Sequence, residues 1–336
     1  MILVTGACGY IGSHTCIELL ERGYPVLAID NFANSSREAL FRVEEITGKG
    51  VAFHQCDIRD RALLNRIFSD YDIDGVIHFA GVKASGEYLS EPLRYFNVNV
   101  GGTVTLMQAL SDANIKHMLY SSSANMYGQG DHAPVSESAR LSAANPYGRS
   151  KLMAEVILAD LVRADPGWSI GVLRYFNPAG AHPSGRIGED PKDIPSNIMF
   201  YAAQVAAGEL DTLTLFGDGY PTKDGTQVSD YLHVMDLARG HVDAMAYLFA
   251  HEKGFTVNLG SGRGYSALEI IRAFENVTGQ TIPYEIRPRK STDAPVSVAD
   301  PSLATSLFGW KAEHSLDEMC ADYWRWISMN PNGYKE

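Results

Sequence analysis

Three glycines spaced three residues apart, in Gly6-Ala7-Cys8-Gly9-Tyr10-Ile11-Gly12, follow directly on the apolar run Ile2-Leu3-Val4-Thr5. A β-branched run that stops at glycine predicts a buried parallel strand closing in a tight turn. After it, Ile11, Cys16, Leu19 and Leu20 recur at helical spacing until Gly23, and Val26-Leu27-Ala28-Ile29 reads as the next buried strand, ending at Asp30. In this βαβ unit Gly6 makes the turn, Gly9 lets backbone approach a pyrophosphate, and Gly12 permits close helix contact, while the free N–H groups at the helix start favour phosphate. A turn with a purely structural purpose is the weaker alternative. Asp30 lies 18 residues after Gly12, where a carboxylate can accept both adenosine ribose hydroxyls and repel a 2′-phosphate. The expected cofactor is therefore NAD in preference to NADP.

The pattern repeats along the chain. Helical spacing around Leu63–Phe68, Thr103–Ala113 and from Pro146 alternates with strands expected at Gly75–Phe79, His117–Ser121 and Ser169–Tyr175. The expected fold class is α/β, a doubly wound parallel, Rossmann-type sheet of six or seven strands with a smaller mixed α/β substrate domain. After Asn177 prolines and glycines break the alternation, so the boundaries are placed at 1–177 for the dinucleotide lobe and 178–336 for the second, with part of about 230–260 returning to pack on the first. Further short strands are expected around Thr212–Phe216, Val228–His233, Phe255–Leu259 and Thr281–Ile286, and helices over Leu268–Thr278 and Leu316–Ile327.

Composition narrows the partners. The 336 residues carry 28 Lys and Arg against 40 Asp and Glu, a formal charge of −12, which disfavours nucleic acid or an anionic membrane as the main partner. Cys8, Cys16, Cys56 and Cys320 form no CxxC pair and read as interior to secondary-structure elements, suiting reduced thiols in the cytoplasm and no metal site. No signal segment or long apolar span is visible.

Other strand ends carry candidate ligands. Asp57, in Cys56-Asp57-Ile58, could accept an adenine amino group or serve as a surface cap. Phe79-Ala80-Gly81 closes the fourth strand with small residues that allow backbone approach to a dinucleotide, and Lys83 just beyond is a candidate cation for phosphate or ribose. The reactive groups are expected on Tyr147-Gly148-Arg149-Ser150-Lys151, where a phenol and an ammonium at i and i+4 share one helix face. Lys151 and a positively charged nicotinamide would favour the Tyr147 phenolate, allowing it to remove a hydroxyl proton. Ser123, at the end of Ser121-Ser122-Ser123, can donate to the same substrate oxygen or serve a serine-rich turn. Proton removal coupled to hydride departure fits alcohol oxidation, carbonyl reduction, epimerisation or redox-initiated dehydration.

These motifs, with Arg174-Tyr175-Phe176-Asn177-Pro178 and Asp230-Tyr231-Leu232-His233-Val234-Met235-Asp236, give a chain that resembles the extended short-chain dehydrogenase/reductases over nearly its full length, most closely their UDP-galactose 4-epimerase branch. The resemblance implies tightly held NAD, a nucleotide-sugar substrate of galactose metabolism, a homodimer, and 4-epimerisation through a transient 4-keto sugar. It places Tyr10, Ile11, Asn31, Asn34, Ser35, Ile58, Asn99 and Tyr175 at the cofactor. It places Ser123, Asn177, Asn197, Phe216, Ser229, Arg289, Lys290, Asp293 and Ser297 at the substrate, with Lys83, Tyr147 and Tyr175 shared between the two.

The chain also departs from the pattern in its outer pocket. Ser229 and Lys290 stand where these epimerases usually carry arginines that grip a diphosphate, and a neutral serine cannot reproduce a bidentate contact. Arg289 is the candidate replacement. Ser297 is small at the position that limits the C2 substituent, so N-acetylhexosamines are sterically allowed. Another activated or free sugar is a second reading. A dehydratase is a third, opposed by Asn125-Met126 standing where an Asp-Glu pair is expected; a net dehydrogenase and a non-catalytic NAD-binding protein complete the set.

Overall fold

In the computed structural model the described residues are 1–83, 91–128, 133–192, 194–195, 197–288 and 294–334. Among them the strands are β1 (Ile2–Thr5), β2 (Val26–Asp30), β3 (Ala52–Gln55), β4 (Gly75–His78), β5 (His117–Ser123), β6 (Ser169–Tyr175), β7 (Asn177–Ala179), β8 (Leu213–Phe216), β9 (Val228–His233), β10 (Phe255–Leu259), β11 (Gly264–Ser266), β12 (Tyr284–Arg287) and β13 (Val296–Ser297). The helices are α1 (Tyr10–Glu21), α2 (Glu38–Thr47), α3 (Arg61–Asp70), α4 (Pro92–Tyr95), α5 (Thr103–Asp112), α6 (Pro146–Ala164), α7 (Ile198–Ala206), α8 (Val234–His251), α9 (Ala267–Thr278), α10 (Ser302–Phe308) and α11 (Leu316–Met329).

Seven strands form one parallel sheet in the order β10-β6-β5-β4-β1-β2-β3. Its strands are apolar on both faces because helices cover both. Ile2 and Val4 of β1 enter one core while Leu3 enters the other, and Val26 with Ala28 opposes Leu27 with Ile29 in the same way. The chain runs outward from β1 through β2 to β3, then returns to start β4 on the other side of β1. That reversal opens a crevice beyond the carboxyl ends of β1 and β4, where open α/β sheets bind ligands.

The late strand β10 pairs in parallel with β6 and extends the large sheet. The remaining short strands make a mixed sheet around β9, with β11 antiparallel and β7 and β13 parallel to it, and a two-stranded β8–β12 ladder. A third core, containing Met199, Leu215, Phe274, Tyr323 and Trp326, lies among α7, α9 and α11.

Three details differ from the sequence expectation. The strand expected at Thr281–Ile286 occupies Tyr284–Arg287, set by its ladder with β8. A π-helical segment, Phe96–Gly102, leads into α5 and has no distinctive sequence periodicity. Cys8 and Cys56 lie in the loops after β1 and β3 rather than inside elements, although all four cysteines are buried and free.

Candidate active site

The glycine turn is shaped by crowding. Gly6 adopts φ +69°, and a side-chain carbon there would lie 2.8 Å from the Ala80 nitrogen. At Gly12 such a carbon would lie 2.2 Å from the Gly6 carbonyl oxygen, so α1 packs onto the turn as closely as backbone allows. No side chain caps α1, and the amides of Tyr10, Ile11 and Gly12 donate to nothing among the described residues. Three convergent N–H groups at a helix start, beside glycine backbone, fit a diphosphate.

Asp30 is buried at the end of β2. Its carboxylate accepts from the Cys8 amide at 3.0 Å, the Phe32 amide at 2.9 Å and the Ser35 hydroxyl at 2.7 Å. These donors fix its orientation while leaving acceptor capacity, as recognition of a ribose diol requires. Asn31 donates to Asp57 at 2.9 Å, and Arg59 also pairs with Asp57 at 2.7 Å, its side-chain hydrogen bonds holding that carboxyl well below its usual range. Asp57 is thus an ionised acceptor rather than a helix cap; Asp60 caps α3. Ile58 packs under Gly102, and the Asn34 side-chain oxygen Oδ1 accepts from the Lys192 backbone amide.

Beyond β4, Phe79-Ala80-Gly81 lies against the glycine turn and α6. Asn99, from the π-helical segment, clamps the following loop: its oxygen accepts from the Val82 amide at 2.7 Å, and its amide donates to Val82 O at 3.1 Å and to the Ser150 hydroxyl at 2.9 Å. Lys83 donates to Glu189 at 2.7 Å, a buried partner that sequence reading missed because it lies 106 positions away. Tyr10 donates through its hydroxyl to Gly180 O at 2.6 Å, so its side chain ties the turn to the chain after β7.

The reactive groups converge at the end of β5. Asn145 caps α6 by accepting from the Gly148 amide at 2.8 Å, and Pro146 supplies the first helical residue, so Tyr147 stands in the first turn and Lys151 one turn on. The Tyr147 hydroxyl faces the Ser123 side chain, which favours its ionised form, and the Tyr95 ring meets the Tyr147 ring edge-on at 6.5 Å. Lys151 donates to the Ser121 carbonyl at 2.8 Å, and Tyr175 is hydrogen-bonded to the Ser121 hydroxyl. Ser123 also accepts from the Asn125 amide nitrogens at 3.1 and 3.2 Å.

The charge balance here is dominated by burial. Burial pushes the Tyr147 phenol above its usual value, and the Ser123 side chain offsets only part of that. Lys151, also buried, is pushed down to about 8, with Glu155 opposing the shift. The Lys151 ammonium donates to the Ser121 carbonyl.

The expected substrate residues fall into separate groups. Asn177 donates to Asp230 O at 2.9 Å, while Asn197 caps α7 and donates to Pro178 O at 3.1 Å. Ser229 of β9 lies in register with Ser297 of β13 on one side and Tyr265 of β11 on the other. The two departures from the epimerase pattern are thus neighbours in one sheet, which no local spacing revealed. Phe216 ends β8 and is 43% exposed, so it is not core. Arg289, Lys290 and Asp293 lie outside the described residues. No metal-ligand cluster occurs among the described residues.

Comparison with known proteins gives the family of the chain. The family model described as GDP-mannose 4,6 dehydratase matches residues 3–323. UDP-glucose 4-epimerase of Bacillus subtilis is 52% identical over 334 residues, covering 99% of this chain and 98% of the relative. That of Dictyostelium discoideum is 51% identical over 336 residues, covering 100% and 98%. The solved UDP-glucose 4-epimerase of Bifidobacterium longum, in complex with NAD+ and UDP, superposes with a TM-score of 0.94 at 48% identity over 99% of each chain. That of Stenotrophomonas maltophila, with bound NAD and formylated UDP-arabinopyranose, gives 0.96 at 48% identity over 98% of each. The dinucleotide cradle and the Tyr147–Ser123 pair are thus set in a chain that belongs to the UDP-glucose 4-epimerase family of the extended short-chain dehydrogenase/reductases.

Proposed function

We propose that this protein is an NAD-dependent 4-epimerase that interconverts UDP-glucose and UDP-galactose. The observation that carries the reading is the gathering of Tyr147, Ser123 and Lys151 at the end of β5, beside the glycine turn, in a chain about half identical to named epimerases. When bound, NAD supplies reversible hydride acceptance at the sugar C4. The cradle for it is the Gly6–Gly12 turn, with Asp30 for the adenosine ribose and the Phe79–Gly81 strand end alongside.

Tyr147 is the base for the sugar 4-hydroxyl. Its buried phenol holds the proton in the absence of a further positive charge, so the ionised form is favoured only when the oxidised cofactor stands beside it. Ser123, fixed by Asn125, lies on the proton path. Lys151 is aligned by the Ser121 carbonyl. Once the hydride that the cofactor would hold is returned to C4 from the opposite face of the 4-keto sugar, the proton on Tyr147 goes back to the 4-oxygen, so C4 is inverted without net oxidation.

A dehydratase needs a carboxylic acid after the active hydroxyl; here Asn125 donates to Ser123 and Met126 is buried, and neither transfers an ionised proton. Ser297 beside Ser229 gives a small-residue floor, which supports acceptance of N-acetylhexosamine forms. For assembly we infer a homodimer, supported by apolar Met153, Val156 and Leu93, which are 46%, 53% and 79% exposed. Four free thiols support a cytoplasmic setting, and no helix among the described residues is long and apolar enough to cross a membrane. We divide the work between a dinucleotide lobe, 1–177 with part of about 230–260, and a substrate lobe in the rest of 178–336.

The test is incubation of purified protein with UDP-galactose and proton NMR of the products. UDP-glucose is expected, with no accumulated NADH. Tyr147→Phe should keep fold and bound NAD while lowering kcat about 100-fold or more, the range of a lost general base. Near-normal turnover of that variant would remove Tyr147 from the mechanism.

A further inference from the structure

Behind the reactive pair lies a buried ionic network that the mechanism has not used. Glu155, one turn beyond Lys151 on α6, accepts from Arg174 Nε at 3.0 Å and from Arg174 Nη2 at 2.6 Å, and the two side chains are 9% and 8% exposed. The same carboxylate accepts from the Ser122 hydroxyl at 2.6 Å. Arg174 is held in turn by the Tyr127 hydroxyl at 3.1 Å and the Glu137 carbonyl at 3.2 Å.

A bidentate, desolvated pair of this kind is rigid, because moving either partner leaves a buried charge alone. What it holds is the end of β5. Ser122 lies between Ser121, whose carbonyl takes Lys151 at 2.8 Å, and Ser123, which faces the Tyr147 hydroxyl. Three consecutive serines thus fix three functional side chains, and the middle one is pinned by Glu155.

Glu155 also faces Lys151 electrostatically. The groups around the ammonium are Glu155 from α6, the Tyr120 ring at 5.0 Å and the Ser121 carbonyl from β5, buried His78 from β4, and Gly81 beyond it. Of these groups only Glu155 is a carboxylate.

We propose that Glu155 is a positioning residue for proton transfer at Tyr147: locked to Arg174, it pins Ser122 and the strand end that aligns Lys151 and Tyr147, and its charge faces the Lys151 ammonium. The inference rests on the reading of Tyr147 and Lys151 as the reactive pair.

Two measurements on the full chain test it. The first follows Lys151 by NMR of protein labelled with 13Cε-lysine, its resonance assigned by loss in Lys151→Met. Burial pushes the parent Lys151 down to about 8; relative to the measured parental midpoint, Glu155→Gln should titrate about one pH unit lower, the effect of losing one nearby charge, while Glu155→Asp leaves the midpoint in place.

The second is turnover of UDP-galactose. Glu155→Gln should lower kcat about 10-fold with KM within about twofold, and displace the alkaline limb of the pH profile by the same unit. Ser122→Ala keeps the charge and should lower kcat without moving the Lys151 midpoint. Near-ultraviolet circular dichroism reports folding, and if Glu155→Gln does not fold, Ser122→Ala and Glu155→Asp decide the matter. A parental midpoint in Glu155→Gln, a Glu155→Asp midpoint displaced by a full unit, or parental kcat in Ser122→Ala overturns the proposal. Absence of turnover in the parent itself overturns the epimerase reading, and the Lys151 titration still judges Glu155.

Discussion

Replacing Gly12 by alanine sets two effects of known size against each other. Gly12 lies inside α1, where alanine is favoured over glycine by about 1 kcal/mol through backbone entropy alone. A side-chain carbon there, however, would lie 2.2 Å from the Gly6 oxygen and 2.9 Å from the Ala7 Cα, both backbone atoms that cannot rotate away. Restoring ordinary contact requires the helix to withdraw by roughly 1 Å, and overpacking of this kind costs about 1–3 kcal/mol. Crowding by backbone belongs at the upper end, so the variant should be about 1–2 kcal/mol less stable than the parent. The same withdrawal displaces the free amides of Tyr10, Ile11 and Gly12, and bound NAD should fall about 10-fold or more, since misplacement by 1 Å is that damaging to an aligned site. Urea unfolding reads the first quantity, and extraction of NAD from gel-filtered protein reads the second. Gly9→Ala is the control, because its added carbon would meet only the Gly6 oxygen at 3.3 Å and should cost less on both counts. A Gly12→Ala protein that is more stable than the parent and fully loaded would refute the reasoning, because propensity would then outweigh contact.

Other expectations can be checked independently. UDP-N-acetylglucosamine should be turned over, since Ser297 and its neighbour Ser229 are both small; conversion of UDP-glucose alone, with none of the N-acetyl form, rejects the enlarged pocket. Ser229→Arg should tighten UDP-sugar binding in titration calorimetry, and unchanged affinity would show that the missing guanidinium is not what limits the site. Burial pushes His14 and His78 down to about 3 and His241 to about 4 from an ordinary 6.5. With folded values below unfolded ones, the unfolded chain binds more protons in between, so their contribution is fully present above pH 6.5 and is lost as pH falls toward 3. Urea midpoints should therefore decline already between about pH 6.5 and 5, before most carboxylates titrate; a flat profile there contradicts the assignment.

The main turn, the strand alternation, the carboxylate at the end of β2 and the shared helix face of Tyr147 and Lys151 were all legible in the sequence. Each is written within about one βαβ unit, where glycine conformation, apolar periodicity and helical spacing act between near neighbours. The departures at Ser229 and Ser297 were legible too, but only as isolated positions.

Tertiary structure decided which distant residues meet. It made Phe255–Leu259 the edge strand beside β6, joined Lys83 to Glu189 across 106 positions, set Ser229 against Ser297, and locked Glu155 to Arg174 under the serines of β5. It also buried the Tyr147 phenol, which raises its pKa, because desolvation depends on everything packed around a group. Pairings of this range are selected by burial and by the need to satisfy polar groups out of water, and those conditions exist only once the chain has closed on itself.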